Sequence, residues 1–499
     1  MNESLESADH PERLRRVAIE PLSRVEGHGK ITLLLDEARR VRQARLHIVE
    51  FRGFEKFIQG RPYWEVPTLV QRLCGICPVS HLLAASKAMD AIALGEASPP
   101  PAATRLRRLL HFGQVLQSHA LHFFHLASPD LLFGSDDAVA HRNFLGVLAD
   151  ERSLAMKGIR LRKYGQELIQ ALTGKRIHGT GSVPGGFNKP LRAAERDALR
   201  AGLPEALAWA QEGLGVAKSL YLAGGERNRT FAAAPSNFLS LVGADGSLEL
   251  FDGGLRVKDP AGAVVMDHVD VRGYAELLRE QVKPWTYMKF PYLAALGPER
   301  GWYRVGPLAR VNNCDFIATP LAEAARRDFV EHGAGAPVQA TLAYHWARMI
   351  ELLHCVEAIA ALLDAPAILD TDLLAQGSGG REGIGVIEAP RGTLFHHYQV
   401  GEDDLVSMAN LIVSTTSNNQ AMNESIRSAA ADIFDGREIS EAMLNRMETA
   451  VRAYDPCLSC ATHAMGKMPL RVEAVAADGG LVDCAVRQGD GSFERGLRG

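Results

Sequence analysis

The chain has 499 residues, 46% of them hydrophobic and 23% charged, with a formal net charge of -4 at pH 7. It is an ordinary globular protein, long enough for several domains or for one large enzyme subunit. The small charge and the lack of a Lys/Arg-rich run exclude nucleic-acid binding. No apolar stretch reaches the roughly 20 residues of a membrane span, because the run from Val356 to Leu369 contains Glu357, Asp364 and Pro366.

The residues up to Arg16 carry acidic groups and no apolar core, so they do not read as a secretory signal. From Val17 to Phe51 the pattern is β-like, and residues 31–35 and 44–49 flank a charged turn at Asp36 to Arg40, which predicts a hairpin. Before it lies Ser23-Arg-Val-Glu-Gly-His-Gly29, a glycine-punctuated loop. A helix is predicted from Val79 to Leu94, with Pro78 in its first turn and Gly95 at its end, before the breaker run Ser98-Pro-Pro-Pro101.

A long helix then starts at Arg105, with Leu106, Leu109, Leu110, Leu116, Ala120 and Phe124 near the 3.6 period. Its His111, His119, His122 and His125 read as core packing and hydrogen bonding rather than metal ligation. Helical patterns continue over 151–172 and 191–222, separated by the glycine-rich break Gly179 to Gly186. Short antiparallel strands are expected from Phe238 to Val265, and helices return over 321–332 and 344–363. Near the end, residues 470–475 and 481–486 flank Ala477-Asp-Gly-Gly480 as a further hairpin. The expected fold is mainly α with α+β accessories, a long helical bundle core carrying small antiparallel β hairpins, without an internal repeat or an evident domain cut.

Seven cysteines fit a reducing compartment better than a disulfide framework. Cys314, Cys355 and Cys484 stand alone and read as small buried hydrophobes. The other four form two Cys-x-x-Cys steps, Arg72-Leu-Cys-Gly-Ile-Cys-Pro-Val-Ser-His81 and Asp455-Pro-Cys-Leu-Ser-Cys-Ala-Thr-His463. Such steps let two sulfurs converge on one soft or borderline ion. The first pair falls at a loop-to-helix junction, where free N–H groups and the helix dipole favour thiolate. A closed structural zinc site is one reading, but the pairs of compact zinc modules lie close in sequence, and these are separated by most of the chain. Arg72 and His81 beside one pair, and Asp455 and His463 beside the other, suit a metal that is tuned for redox or acid–base work.

These motifs resemble those of the large subunit of nickel-iron hydrogenases. Arg24-Val-Glu-Gly-His28, Arg52-Gly-Phe-Glu55, Gly306-Pro-Leu-Ala-Arg310 and Glu388-Ala-Pro-Arg-Gly392 support the match, which runs from about Glu20 to His463. Within the family, residues 287–292 and 305–315 look most like the soluble, NAD-reducing (bidirectional) subtype. The resemblance implies that Cys74, Cys77, Cys457 and Cys460 hold nickel (Ni), with Cys77 and Cys460 bridging to an iron (Fe) that carries carbon monoxide and two cyanide ligands. It places His81 at a bridging sulfur, Arg391 over the open face of the metals, and Pro390 and Thr415 beside the diatomic ligands. Glu26 corresponds to the carboxylate that takes the proton from Cys457, while Glu55, the carbonyl of Leu411 and His463 correspond to a magnesium (Mg) site. Ser118 and Ser414 depart from membrane-bound members, which often have an aspartate and a proline there.

The chain offers no further grouped cysteines and no dinucleotide fingerprint, so electrons must leave through partners. The resemblance implies a small subunit with an iron–sulfur cluster, joined to a flavin (FMN) and NAD-binding diaphorase module, in the cytoplasm. It also implies a maturation chaperone and a specific endopeptidase that cuts after His463, so that 1–463 is the catalytic body and 464–499 a propeptide. Two rivals share this ancestry. A hydrogen sensor would typically lack the removable extension, and a quinone-module subunit like that of complex I would have lost the thiols.

Overall fold

The computed structural model describes residues 15–19, 23–36, 40–48, 50, 53–135, 137, 141–432 and 441–462, and the backbone of strands between 470 and 496. At the N-terminal side, β1 (Arg15–Ile19), β2 (Gly29–Leu35) and β3 (Val41–Ile48) form an antiparallel sheet in that order. The predicted hairpin is its second half. The alternation that identified it buries Ile31, Leu33 and Leu35 on one face, with Leu46 and Ile48 opposite.

The central helices are α1 (Pro78–Leu94), α2 (Pro101–Leu121), α3 (Arg152–Thr173) and α4 (Ala193–Ala223). All four ranges match the periodicity to within two residues except the start of α2, which begins four residues before Arg105. The breaker run ends inside the helix because Pro101 takes its first position, where a missing N–H costs nothing. After Leu121 the helix widens into a π turn over His122–Ala127 and resumes at Ser128–Phe133. Pro129, which cannot continue the hydrogen-bond ladder, lies just beyond the widened turn.

The predicted β excursion is a four-stranded sheet. It contains β4 (Asn237–Val242), β5 (Gly254–Lys258) and β6 (Val264–Val269), and gains β7 (Tyr303–Arg304) as a parallel neighbour of β4. The short α5 (Pro307–Asn313), then α6 (Pro320–His332) and α7 (Ala343–Asp364), complete the helical core, with α7 against α4 and α2. Trp346, Met349, Ile350, Leu353 and Val356 on α7 are buried, as its apolar run predicts.

A meander of β8 (Glu382–Ala389), β9 (Gly392–Val400) and β10 (Val406–Ile412) was not foreseen. It lies on α1, and Gly383 and Gly385 make that approach possible. A Cβ on Gly383 would stand 1.9 Å from the Ala88 carbonyl oxygen, and one on Gly385 2.0 Å from that of Ala84. Two further helices follow, α8 (Asn419–Ala431) and α9 (Glu441–Ala453). The hairpin expected near the end is present as β11 (Leu470–Val475) and β12 (Leu481–Arg487), with β13 (Phe493–Gly496) added beside β12. Among the described residues no helix is long and apolar enough to cross a membrane.

Candidate metal centre

Cys74 and Cys77 sit where a short 3-10 turn, Gln71–Leu73, gives way to α1. Cys77 is the residue before the helix and Pro78 its first turn, so the N–H groups near the start of α1 have no partner within the helix. The backbone N–H groups of Ile76 and Cys77 both donate to Cys74 Sγ at 3.2 Å, a cradle that favours thiolate. The loop is fixed from below by α2, where the side-chain amides of Gln114 and Gln117 donate to the Ile76 carbonyl at 2.9 and 2.8 Å. On the outer side, the His178 ring lies 3.1 Å from the Cys74 carbonyl and 2.9 Å from the Arg72 guanidinium. Sequence reasoning missed both glutamines, although a polar pair three residues apart on a buried helix face is a readable sign.

The second pair arrives on the loop after α9. Asp455 takes a left-handed conformation (φ 53°), uncommon outside glycine, and turns the chain so that Cys457 and Cys460 face the first pair. The four sulfurs lie within 4.8 Å of one another and are all buried, with Cys74 to Cys457 at 3.4 Å and Cys457 to Cys460 at 2.7 Å. The loop is clasped by the glycine-punctuated segment near the N-terminus. Leu458 N–H donates to the Glu26 carbonyl at 2.9 Å, and Glu26 and Cys457 form a parallel bridge. Gly27 (φ 83°) allows this contact, since a Cβ there would stand 2.8 Å from Ser459 N. The Glu26 carboxylate accepts from Cys457 Sγ at 3.0 Å, from Ser459 N–H at 3.2 Å and from the Ser459 hydroxyl.

Pro390 and Arg391 form the two-residue turn between β8 and β9. Arg310, the last residue of the Gly306-Pro-Leu-Ala-Arg stretch, holds that turn by donating to the carbonyls of Ala389 (2.9 Å) and Pro390 (3.2 Å). Its own charge is met by Glu351 at 2.6 Å and Glu388 at 2.7 Å. Gly306 lies so close beneath that a Cβ would come 2.8 Å from the Arg391 carbonyl oxygen. Arg391 donates through Nε to the Asp455 carbonyl and through Nη2 to the Asp455 carboxylate at 2.9 Å. Its Nη1 has no hydrogen-bond partner among the described residues, and neither do Asp455 Oδ2 and Ser118 Oγ. Burial opposes the Arg391 charge, but Asp455 and the thiols outweigh it and push its pKa further up.

Thr415 accepts from Cys457 N–H at 3.0 Å, and Ser414 donates to the Gly392 carbonyl at 2.6 Å. A small cavity is lined by Cys77, Cys460, His81, Pro390, Arg391 and Thr415. Glu55 meets β10, accepting from Leu411 N–H at 2.8 Å. His463, the expected third member of that group, lies outside the described residues, as does Arg52. The histidine line of α2 and the π turn after it is taken up in the core, with His119 hydrogen-bonded to Glu351 at 2.9 Å and His122 to the Arg452 carbonyl at 2.7 Å. His111 stands 3.0 Å from each of two carbonyls, and His125 stacks on Phe144. Cys314 and Cys355 are buried, and burial pushes both thiols up, Cys314 to about 12. Both are inert core residues, as expected. The side chain of Cys484 lies outside the described residues.

The donor set fits a thiolate-bound metal. Burial raises the pKa of Cys74, but hydrogen bonds from the other three thiols and the charge of Arg391 bring it well below its ordinary value. Burial, with the hydrogen bonds to Cys74 and Cys77, holds Cys457 and Cys460 well above theirs. One thiol is thus ready to ionise in a basin that an incoming cation would complete. Fold and site together define a thiolate metal centre assembled from both ends of a helical body.

Comparison with known proteins makes the class specific. A family described as "Nickel-dependent hydrogenase" matches residues 52–133 and 268–463, more than half of the chain, and one described as "HoxL-like" matches residues 16–51. The NAD-reducing hydrogenase HoxS subunit beta of Cupriavidus necator is 44% identical, covering 94% of this chain and 99% of its own. An F420-non-reducing hydrogenase polypeptide of Methanothermobacter thermautotrophicus is 40% identical over the same shares. An NAD+-reducing NiFe-hydrogenase crystallised in the H2-reduced state superposes with a TM-score of 0.88 at 55% identity, covering 90% of this chain and 99% of its own. The chain belongs to the nickel-iron hydrogenase large-subunit family, and its fold is that of the family.

Proposed function

We propose that this chain is the catalytic large subunit of an NAD-reducing nickel-iron hydrogenase, carrying out the reversible heterolytic cleavage of dihydrogen. The observation that carries the reading is the four-thiol basin with a carboxylate 3.0 Å from one of its sulfurs. Cys74, Cys77, Cys457 and Cys460 would hold nickel, with Cys77 and Cys460 shared with an iron bearing carbon monoxide and two cyanides. When bound, these metals supply the Lewis acidity that splits a nonpolar, weakly acidic molecule and the orbitals that take up its electrons.

The protein supplies orientation and a proton route. Arg391, pinned along one edge by Asp455 and kept charged, is no base, so its role is to hold the gas molecule with the edge that points away from Asp455. Cys457 takes the proton and passes it to Glu26, which is within hydrogen-bond reach. Pro390 and Thr415 line the cavity that the diatomic ligands would occupy, and His81, on the same cavity as Cys77 and Cys460, would donate to one of these sulfurs. Glu55, the Leu411 carbonyl and His463 would be the residues that hold magnesium. Ser118, where membrane-bound members often have an aspartate, contributes a hydroxyl in place of a carboxylate.

Electrons leave through a small subunit with an iron–sulfur cluster to a flavin module that reduces NAD, in the cytoplasm. The identity to the Cupriavidus necator and NAD+-reducing proteins supports that partnership. A chaperone and a specific endopeptidase complete maturation, removing 464–499 once nickel is in place. An infrared spectrum of the purified complex in the triple-bond region tests the centre, with nickel, iron and magnesium counted and the subunit mass measured on the same sample. One carbon monoxide band, two cyanide bands, one nickel per chain and a mass ending at His463 are expected. A silent spectrum with zinc in the basin would sink the reading.

A further inference from the structure

His81 in the first turn of α1 does not face the sulfurs unsupported. Its Nδ1 lies 3.1 Å from Nε2 of His396, and Nδ1 of His396 lies 2.6 Å from the hydroxyl of Tyr398. His396 and Tyr398 are two residues apart on β9 and so share the strand face that meets α1. The residue between them, His397, turns the other way, to Tyr274 and Glu382. All three members of the row are buried, at 1% exposure or less.

The direction of the protons along this row follows from satisfaction of a buried phenol. Among the described residues the only hydrogen bond of the Tyr398 hydroxyl is the one to His396. Burial, and then the nearby Glu55, raise its pKa well above the ordinary value, so it keeps its proton. A buried O–H with one partner donates to that partner. His396 Nδ1 is therefore an acceptor and the ring carries its proton on Nε2. That proton is donated to His81 Nδ1, which leaves the His81 proton on Nε2, the other edge of a ring lining the cavity of Cys77 and Cys460.

We propose that Tyr398 and His396 are positioning residues that set the tautomer and ring orientation of His81, so that it presents an N–H donor to the sulfur centre. The proposal rests on the nickel-iron reading above and adds to it a row that starts at a phenol near Glu55. A donor on a bridging thiolate draws electron density from the sulfur and hence from the iron, so it reads out in the carbon monoxide stretch without reference to turnover.

The test is infrared spectroscopy of the purified complex carrying Tyr398→Phe, His396→Leu or His396→Gln, with metal content matched to wild type. The carbon monoxide band should move to lower frequency in His396→Leu and, by a smaller step, in Tyr398→Phe. It should return close to wild type in His396→Gln, whose amide N–H can replace the Nε2 donor. Wild-type bands that stay unmoved in both Tyr398→Phe and His396→Leu overturn the row. Absence of the bands from wild type itself overturns the nickel-iron reading instead. Should the variants fail to take up metal, the wild-type complex labelled with nitrogen-15 at histidine gives the answer through its ring-nitrogen shifts. A protonated Nε2 and bare Nδ1 on His81 and on His396 support the assignment, and the reverse pattern refutes it.

Discussion

Arg391 shows how much of a functional residue's behaviour is decided by what holds it. Its Nε and Nη2 are committed to Asp455, which leaves a single edge for other work. Replacement by methionine keeps much of the bulk but strands a buried carboxylate, at a cost on the order of 3–5 kcal/mol. Arg391→Met should therefore lower the thermal unfolding midpoint as well as activity. Arg391→Lys keeps the charge and loses the fork, so activity should fall with a smaller change in midpoint, measurable by calorimetry beside hydrogen uptake. Glu26→Gln preserves shape and removes the carboxylate that can take up a proton. Hydrogen–deuterium exchange should drop by about 100-fold or more while metal content stays unchanged, and wild-type exchange would rule out Glu26 as the proton acceptor. At this scale the sequence was legible where chemistry is written in spacing, as in the two thiol pairs. It was illegible where a residue works by reaching a distant one, as Gln114 and Gln117 reach Ile76 and His396 reaches His81, because those partners are far away in the chain.

Among the elements, α1 and the β8–β10 meander form the site's frame, and only α1 was visible beforehand. Its periodicity and its Pro and Gly ends are plain. The meander was hidden because β8 and β9 are buried on both faces over much of their length, which erases the alternation that marks a half-exposed strand. The glycines of β8 look like loop residues in sequence, yet they are what lets the strand lie on α1. Gly385→Val should force the two apart, costing about 1–3 kcal/mol or more and pulling Arg391 away from the thiols. The expected outcome is a soluble chain with reduced nickel uptake, read by metal analysis, and full metal loading would show that the contact does not frame the site. The histidines of α2 and α7 give these helices a shared response to acid. Burial lowers the pKa of His111 and His345 to about 3 and that of His119 to about 4. Folded, they stay neutral where the unfolded chain binds protons, so stability is present above about pH 6.5 and is lost as pH falls towards 4. Each contributes a slope of about 1.4 kcal/mol per pH unit in that window. Denaturant unfolding at pH 7 and pH 5 should show the loss, and equal stability at both would mean that these rings are charged in the folded protein.

For the molecule as a whole, the helical class could be read from the sequence because α2, α3, α4, α6 and α7 each carry a complete amphipathic or apolar pattern. The way they pack around a basin drawn from both ends was not, since nothing local encodes a contact between Glu26 and Cys457. The maturation proposed above, in which 464–499 are removed once nickel is in place, predicts coupling between metal and chain. Cells grown without nickel should accumulate a subunit that still contains residues 464–499, and nickel supply should convert it to the shorter mass. A short mass in nickel-free cells would separate processing from metal loading.

The clasp between residues 26–27 and 457–459 also has a bearing on how the protein is made. Cys74 and Cys457 are 383 positions apart, and a ribosome adding roughly 5–20 residues per second needs about 20–80 s to travel between them. Through that interval the nascent polypeptide displays two of the four basin thiols and none of the segment that covers them. The wall formed by the N-terminal loop is waiting long before the segment it must receive has been synthesised. A site that needs all four thiols therefore cannot be completed before the last of them, Cys460, has been synthesised.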